Sequence, residues 1–208
     1  MHHLVDYRKT TTESCELLYF NLICKKCIKI KTLKLKSNPQ NVSKHDTSRN
    51  LKKGKYMIKI LFICHGNICR STMAQFVMQH LVHKNGQEEN FLIDSKATST
   101  EELGNSPHYG TVRKMQEMNI PMVPHRAEQM QRKDYQNYDY IIGMDQWNYR
   151  NIMRIIGKDP ENKVSLLLDW TENPRDIADP WYTGNFDQTY EDVLEGCEAL
   201  LQELQSNC

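Results

Sequence analysis

Cys64 and Arg70 stand six positions apart in "CHGNICRS", residues 64–71, with Ser71 next to the arginine and Gly66 and Asn67 between them. A thiolate is a strong nucleophile. A guanidinium is a permanently charged fork that can hold two phosphate oxygens and stay bonded to them as charge moves during transfer. Gly and Asn tolerate left-handed backbone angles, so the chain between Cys64 and Ser71 can curl and turn successive N–H groups inward, which makes an anion cradle. The set suits attack by Cys64 on a phosphoryl group held by Arg70, with His65, Gly66, Asn67, Ile68, Cys69 and Ser71 as the lining of the cradle. By itself Cys-x5-Arg is a weak signal, because a cysteine is often only a small buried hydrophobe.

A second set lies far along the chain, in "DPWYTGNFDQTYEDV". Expelling an alkoxide or phenoxide from phosphorus is easier if a carboxylic acid protonates the leaving oxygen, and the carboxylate left behind can then activate water. Asp179 could serve both steps. Pro180 biases it away from helical angles, so its carboxyl can be presented from an extended loop. Asp-Pro alone is ordinarily a turn. Trp181 and Tyr182 directly after it could wall a pocket for a planar substrate group.

The elements that must hold these residues follow from hydrophobic periodicity. "IKILFIC" is a short apolar run rich in β-branched residues, as expected of a strand buried on both faces of a parallel sheet. Met73, Phe76, Val77 and Leu81 follow at helical spacing up to Gly86, a candidate C-cap. The alternation then repeats. "NFLID", "YDYIIGMD" and "KVSLLLD" read as strands, and "SPHYGTVRKMQEMNI" and "QWNYRNIMRIIG" as helices. A last helix carries Val193, Leu194, Cys197, Leu200, Leu201 and Leu204 on one face. This pattern predicts an α/β fold, a doubly wound open parallel sheet of about four strands flanked by helices. Ligand sites in such sheets lie outside the carboxyl ends of the strands, where Cys64 falls. A helix starting near Arg70 would aim its free N–H groups and positive dipole end at the loop, favouring phosphate and a thiolate alike.

Charge divides the chain near Lys55. Residues 1–56 hold thirteen Lys and Arg against four Asp and Glu, whereas the remainder holds fourteen against twenty-two. The apolar stretch Leu17–Ile23 is shorter than the ~20 residues a membrane span needs, and most of the positive charge follows it, the wrong order for a secretory signal. Cys24 and Cys27 form a CxxC with no second pair nearby to complete a zinc site. We expect residues 1–56 to be a dispensable basic extension, disordered or even upstream sequence translated on paper, and residues 57–208 to form the domain.

"CHGNICRS" together with "DPWYTGNFDQTYEDV" resembles the low-molecular-weight protein tyrosine phosphatases, in their bacterial form, from about Met57 to the end. The resemblance implies that Cys64 is the nucleophile of a phosphocysteine intermediate, Arg70 the phosphate-binding arginine and Asp179 the acid. Ser71 would supply the hydroxyl bonded to the thiolate. Asn67 would be the strained loop residue, supported by Ser95 and His125. Cys69 would be a redox partner able to form a disulfide with Cys64. No metal or cofactor is implied. The partner would be a phosphotyrosine-containing protein, met in the cytoplasm by a monomer that neither spans a membrane nor binds nucleic acid. His65 and Glu101 depart from the animal pattern, Glu101 falling where some members carry an aromatic that shapes substrate preference. Related protein arginine phosphatases carry threonine where Ile68 stands, which favours phosphotyrosine here. Phosphoarginine and a non-catalytic phosphate-binding module are the alternatives. Arsenate reductases need further relay cysteines, and none occurs between Cys69 and Cys197.

Overall fold

The computed structural model describes residues 57–206; the basic leader with Cys24 and Cys27, and the expectation that it is dispensable, lie outside the described residues. Four strands, β1 (Ile58–Cys64), β2 (Phe91–Ala97), β3 (Tyr140–Gly143) and β4 (Val164–Leu166), form one parallel sheet in the order β2-β1-β3-β4. The strand order reverses at β1, so the crevice at the carboxyl ends of β1 and β3 is the topological switch point where such sheets bind ligands. Cys64 is the last residue of β1, and Asp145 lies two residues past the end of β3.

The apolar run of β1 is explained by its central place. Ile60 and Phe62 pack into one core and Leu61 and Ile63 into another, and all four are fully buried. Among the described residues there are six α-helices: α1 (Arg70–Lys84), α2 (Tyr109–Glu117), α3 (Asp134–Asn137), α4 (Gln146–Ile156), α5 (Pro180–Thr183) and α6 (Phe186–Ser206). Met73, Phe76 and Val77 of α1 meet Val193, Cys197, Leu200, Leu201 and Leu204 of α6 over the Ile60 face, while Ile152 and Ile156 of α4 cover the Leu61 face. Burial on this scale, at about 25 cal/mol per Å² of apolar surface, is the main force holding the switch point in shape.

The periodicity reading does not include α3 or α5, β2 runs past "NFLID" to Ala97, and β3 covers only the middle of "YDYIIGMD"; two further differences have a visible cause. "KVSLLLD" is a strand only over Val164–Leu166 and then becomes a 3₁₀ turn, Leu167–Trp170. The Asp169 carboxylate accepts from Leu166 N–H at 3.0 Å and closes that turn, which swings the fully buried Leu167 and Leu168 into the core under α6. The helix expected over 106–120 is shorter at both ends. It starts after Pro107, with the His108 ring accepting from Gly110 N–H at 3.1 Å, and it stops before Asn119, which takes a left-handed φ of 55°. Among the described residues no helix is long and apolar enough to cross a membrane.

Candidate active site

The loop between β1 and α1 is built around Asn67. Its φ is 58°, a left-handed angle that Asn tolerates better than most residues. Both ends of its fully buried side chain are used: Nδ2 donates to Ser71 Oγ at 3.0 Å and to Ser95 Oγ at 2.8 Å, and Oδ1 accepts from Glu128 N–H at 3.1 Å. Its carbonyl accepts from Thr72 Oγ1 at 2.8 Å and from His125 Nε2 at 3.0 Å, which requires His125 to carry its proton on Nε2. Burial pushes the pKa of His125 below its ordinary value, against the opposing pull of the Asn67 carbonyl and Glu128, so it favours the neutral ring. Ser95 passes its own proton to Gln75 Oε1 at 2.7 Å. Gly66, expected to share the left-handed turn, does not have a positive φ. A Cβ there would instead come within 3.0 Å of Glu102 Cγ, so close approach is the local reason for glycine.

This network ends on Cys64. Ser71 Oγ, receiving a hydrogen bond from Asn67, donates its own proton to Cys64 Sγ at 3.0 Å, and Asn67 N–H donates to the same sulfur at 3.2 Å. Both donors turn the positive end of their dipoles toward the sulfur, and the start of α1 adds to them. That helix has Cys69 at its N-cap position, no side-chain cap and no acidic residue in its first turn, so its dipole end faces the loop uncompensated. Cys69 itself is a different kind of thiol. Burial first, then the negative charge of Cys64 and Asp179, push its pKa up to about 12, so it stays protonated near neutral pH.

Arg70 is 2% exposed and joins three segments. Nη1 donates to the Asp145 carboxylate and, at 3.1 Å, to the Ile177 carbonyl, while Nη2 donates to the Asp179 carboxylate. Burial works against its charge, but Cys64, Asp179 and Asp145 outweigh that cost and raise its pKa further. Its Nε has no hydrogen-bond partner among the described residues. Asp179 caps α5: its other oxygen accepts from Trp181 N–H at 3.1 Å, with Pro180 as the first helical residue.

Between these groups lies a cavity of about 110 Å³ with Cys64, Cys69, Ile68 and Asp179 at its depth and His65, Gly66, Glu101, Glu102, Trp181 and Tyr182 around it. Trp181 is 55% and Tyr182 83% exposed, as walls at a mouth would be. Trp181 rests edge-on against His108, whose ring stacks on Phe186. Ser95 and His125 stand behind Asn67, outside the cavity. Of the residues singled out from the sequence, Cys64, His65, Gly66, Ile68, Cys69, Asp179, Trp181 and Tyr182 line the cavity, whereas Asn67, Ser71 and Arg70 do not line it and meet it through their bonds to Cys64 and Asp179.

Several contributors were not singled out. Asp145 had a readable signal: an aspartate at the end of a strand and the start of an amphipathic helix is an N-cap, and its Oδ1 accepts from Asn148 N–H at 2.6 Å. That its other oxygen would hold Arg70 depends on β3 lying beside β1. Glu102, His108, Gln75 and the Ile177 carbonyl carried no local signal, because loop packing alone brings them in.

Comparison with known proteins gives the same reading. Residues 59–208 match the family model described as low molecular weight phosphotyrosine protein phosphatase. The chain is 36% identical over 151 residues to the low molecular weight protein-tyrosine-phosphatase YfkJ of Bacillus subtilis, covering 72% of this chain and 97% of that one. It is 38% identical over 149 residues to the low molecular weight phosphotyrosine protein phosphatase of Gallus gallus, covering 69% and 94%. The crystal structure of YfkJ superposes with a TM-score of 0.71 over 73% of this chain and 96% of YfkJ. That of a Drosophila arginine phosphatase, 26% identical, superposes with a TM-score of 0.66 over 73% of this chain and 100% of its own. The chain belongs to the low molecular weight phosphotyrosine protein phosphatase family.

Proposed function

We propose that this chain is a protein-tyrosine phosphatase that hydrolyses phosphotyrosine monoesters in two steps through Cys64. The observation that carries the reading is one sulfur, at the end of β1, receiving two hydrogen bonds from the loop that leads to the uncapped start of α1, whose first residue is a buried arginine paired with Asp179. In the first step the Cys64 thiolate attacks phosphorus, the bond from phosphorus to the aryl oxygen breaks, and the leaving oxygen takes a proton from Asp179. In the second, Asp179 takes a proton from water as that water attacks the phosphocysteine. The P–S bond breaks, releasing inorganic phosphate and restoring the thiolate. Arg70 and the loop N–H groups hold the equatorial oxygens throughout.

Asp179 must leave Arg70 for this role, since it cannot both neutralise the arginine and give a proton to substrate. Incoming phosphate is the stronger partner for the fork and can displace it. Ile68, 7% exposed and without a hydroxyl, and the aromatic walls support an aryl ester over a phosphoguanidino group. The reading also has the chain acting as a monomer in the cytoplasm, where the reducing pool would keep Cys64, Cys69 and Cys197 as thiols.

The test compares leaving groups. Cys64→Ser is expected to abolish turnover. Asp179→Ala should slow an ester of a poor leaving group by roughly 10²–10⁴ while costing an activated nitrophenyl ester much less. Equal losses would remove Asp179 from the acid role, and faster release of phosphate from phosphoarginine than from phosphotyrosine peptides would overturn the substrate assignment.

A further inference from the structure

The mouth of the cavity has a charge pattern that the two-step chemistry does not use. Glu101 and Glu102 stand on its rim, opposite Trp181 and Tyr182, and no lysine or arginine lines it among the described residues. The His65 ring, the one group there able to carry positive charge, lies 3.0 Å from a Glu101 oxygen and is spoken for by it. The Glu101 side chain is 70% exposed. Glu102 has one oxygen held by Asn105 Nδ2 at 2.7 Å, which leaves the second to meet a ligand.

This rim is held in place before any substrate arrives. Ser99 N–H donates to the His65 carbonyl at 3.0 Å at one end of the segment, and Gly104 N–H donates to Ala127 O at 2.9 Å at the other. Asn105 O accepts from Ala127 N–H at 2.9 Å, and Asn105 N–H donates to Glu102 O at 3.0 Å. A fixed backbone keeps both carboxylates at the rim and lowers part of the ordering cost of pairing there. The field behind it has the same sign, because the chain from Met57 onward carries twenty-two acidic against fourteen basic residues.

We infer that Glu101 and Glu102 select the substrate by the residues next to its phosphotyrosine, favouring peptides with lysine or arginine there and rejecting acidic ones. The inference rests on the phosphotyrosine reading above. With the phosphate on Arg70 and the ring between the aromatic and acidic walls, the peptide backbone emerges at the rim, and its neighbouring side chains lie across the two carboxylates. Basic neighbours gain partners. Acidic neighbours meet like charge with no cation to offset it. A Debye length of about 8–10 Å at physiological salt spans this separation, so the preference should weaken as salt is added.

The experiment measures kcat/KM of the full chain for two phosphotyrosyl peptides identical except for lysines or glutamates beside the tyrosine, with a nitrophenyl phosphate as the flank-free reference. Exposed pairs give a few-fold each, so about a tenfold preference for the basic peptide is expected at low salt, shrinking in about 0.5 M salt, where the Debye length falls to roughly 4 Å. Glu101→Gln with Glu102→Gln should reduce the ratio to about two or less, and Glu101→Lys with Glu102→Lys should invert it. Peptide affinities for the Cys64→Ser chain should follow the same order, a readout that does not depend on turnover. A wild-type ratio near one, a preference for the acidic peptide, or a basic preference left unchanged by the double substitutions would each overturn the inference while leaving the enzyme reading intact. Failure to cleave even the nitrophenyl ester would instead overturn the enzyme reading itself.

Discussion

Asn67 is the residue on which the loop's geometry and its chemistry depend together, and truncating it separates the two. Asn67→Ala removes three side-chain hydrogen bonds, to Ser71, Ser95 and Glu128. At about 0.5–1.5 kcal/mol each, these sum to roughly 1.5–4.5 kcal/mol. Alanine at a φ of 58° adds about 1 kcal/mol of strain. Asn67→Gly loses the same bonds without the strain, but its looser unfolded chain returns about 0.5–1 kcal/mol of that advantage. Urea unfolding should therefore find Ala less stable than the parent by about 3–5 kcal/mol, with Gly equal to Ala or slightly better. Turnover of an aryl phosphate should fall by roughly 30- to 100-fold in both, because Ser71 loses the donor that orients its proton toward Cys64 and the Asn67 N–H is no longer aimed at the sulfur. Stability within about 1 kcal/mol of the parent would mean the side-chain bonds contribute little. Unchanged turnover in a destabilised variant would mean the network holds the loop but does not tune the thiolate.

His125 supplies a pH signature: with its folded pKa lowered by burial, its contribution is fully present above the ordinary histidine range and is lost as pH falls from there toward the folded value, where only the unfolded chain takes up a proton. His125→Gln, which can still donate to the Asn67 carbonyl, should flatten the decline of stability as pH falls below the ordinary histidine value of about 6.5, and an unchanged slope would refute this. Because Cys69 is a protonated thiol in the same cavity as Cys64, mild peroxide should inactivate the parent in a way that a dithiol reverses, with a Cys64–Cys69 link in peptide maps, whereas Cys69→Ser loses activity permanently. Full recovery of the serine variant would leave Cys69 a packing residue. A chain beginning at Met57 should keep aryl phosphatase activity and Tm, since all four strands and the whole cradle lie beyond that point; loss of folding would show that the leader contributes.

How much of this could be read from the sequence depends on how far apart the contributing residues lie. Cys64, Arg70 and Ser71 share one strand–loop–helix unit, so local patterning was enough to place them. Asp179 was readable as chemistry but not as Arg70's partner, since 109 positions separate the two. Ser95 and His125 came only from the family resemblance. A serine after the expected strand "NFLID" and a histidine that could merely cap a helix look ordinary until packing brings both against Asn67. "KVSLLLD" shows the limit of periodicity, because three buried leucines fit a strand or a turn equally well and Asp169 decides between them by accepting one backbone hydrogen.

The span of the Arg70 contacts has a consequence for synthesis. The nucleophile and the phosphate loop leave the ribosome early, but Asp145, Ile177 and Asp179 reach Arg70 only across 75 to 109 intervening positions. A nascent or truncated chain can carry the Cys-x5-Arg loop and yet lack every group that holds its arginine. Phosphatase competence therefore requires a chain synthesised at least through Asp179. Recovery of turnover after denaturation likewise requires the segment carrying Asp145, Ile177 and Asp179 to reach Arg70, and not the loop alone.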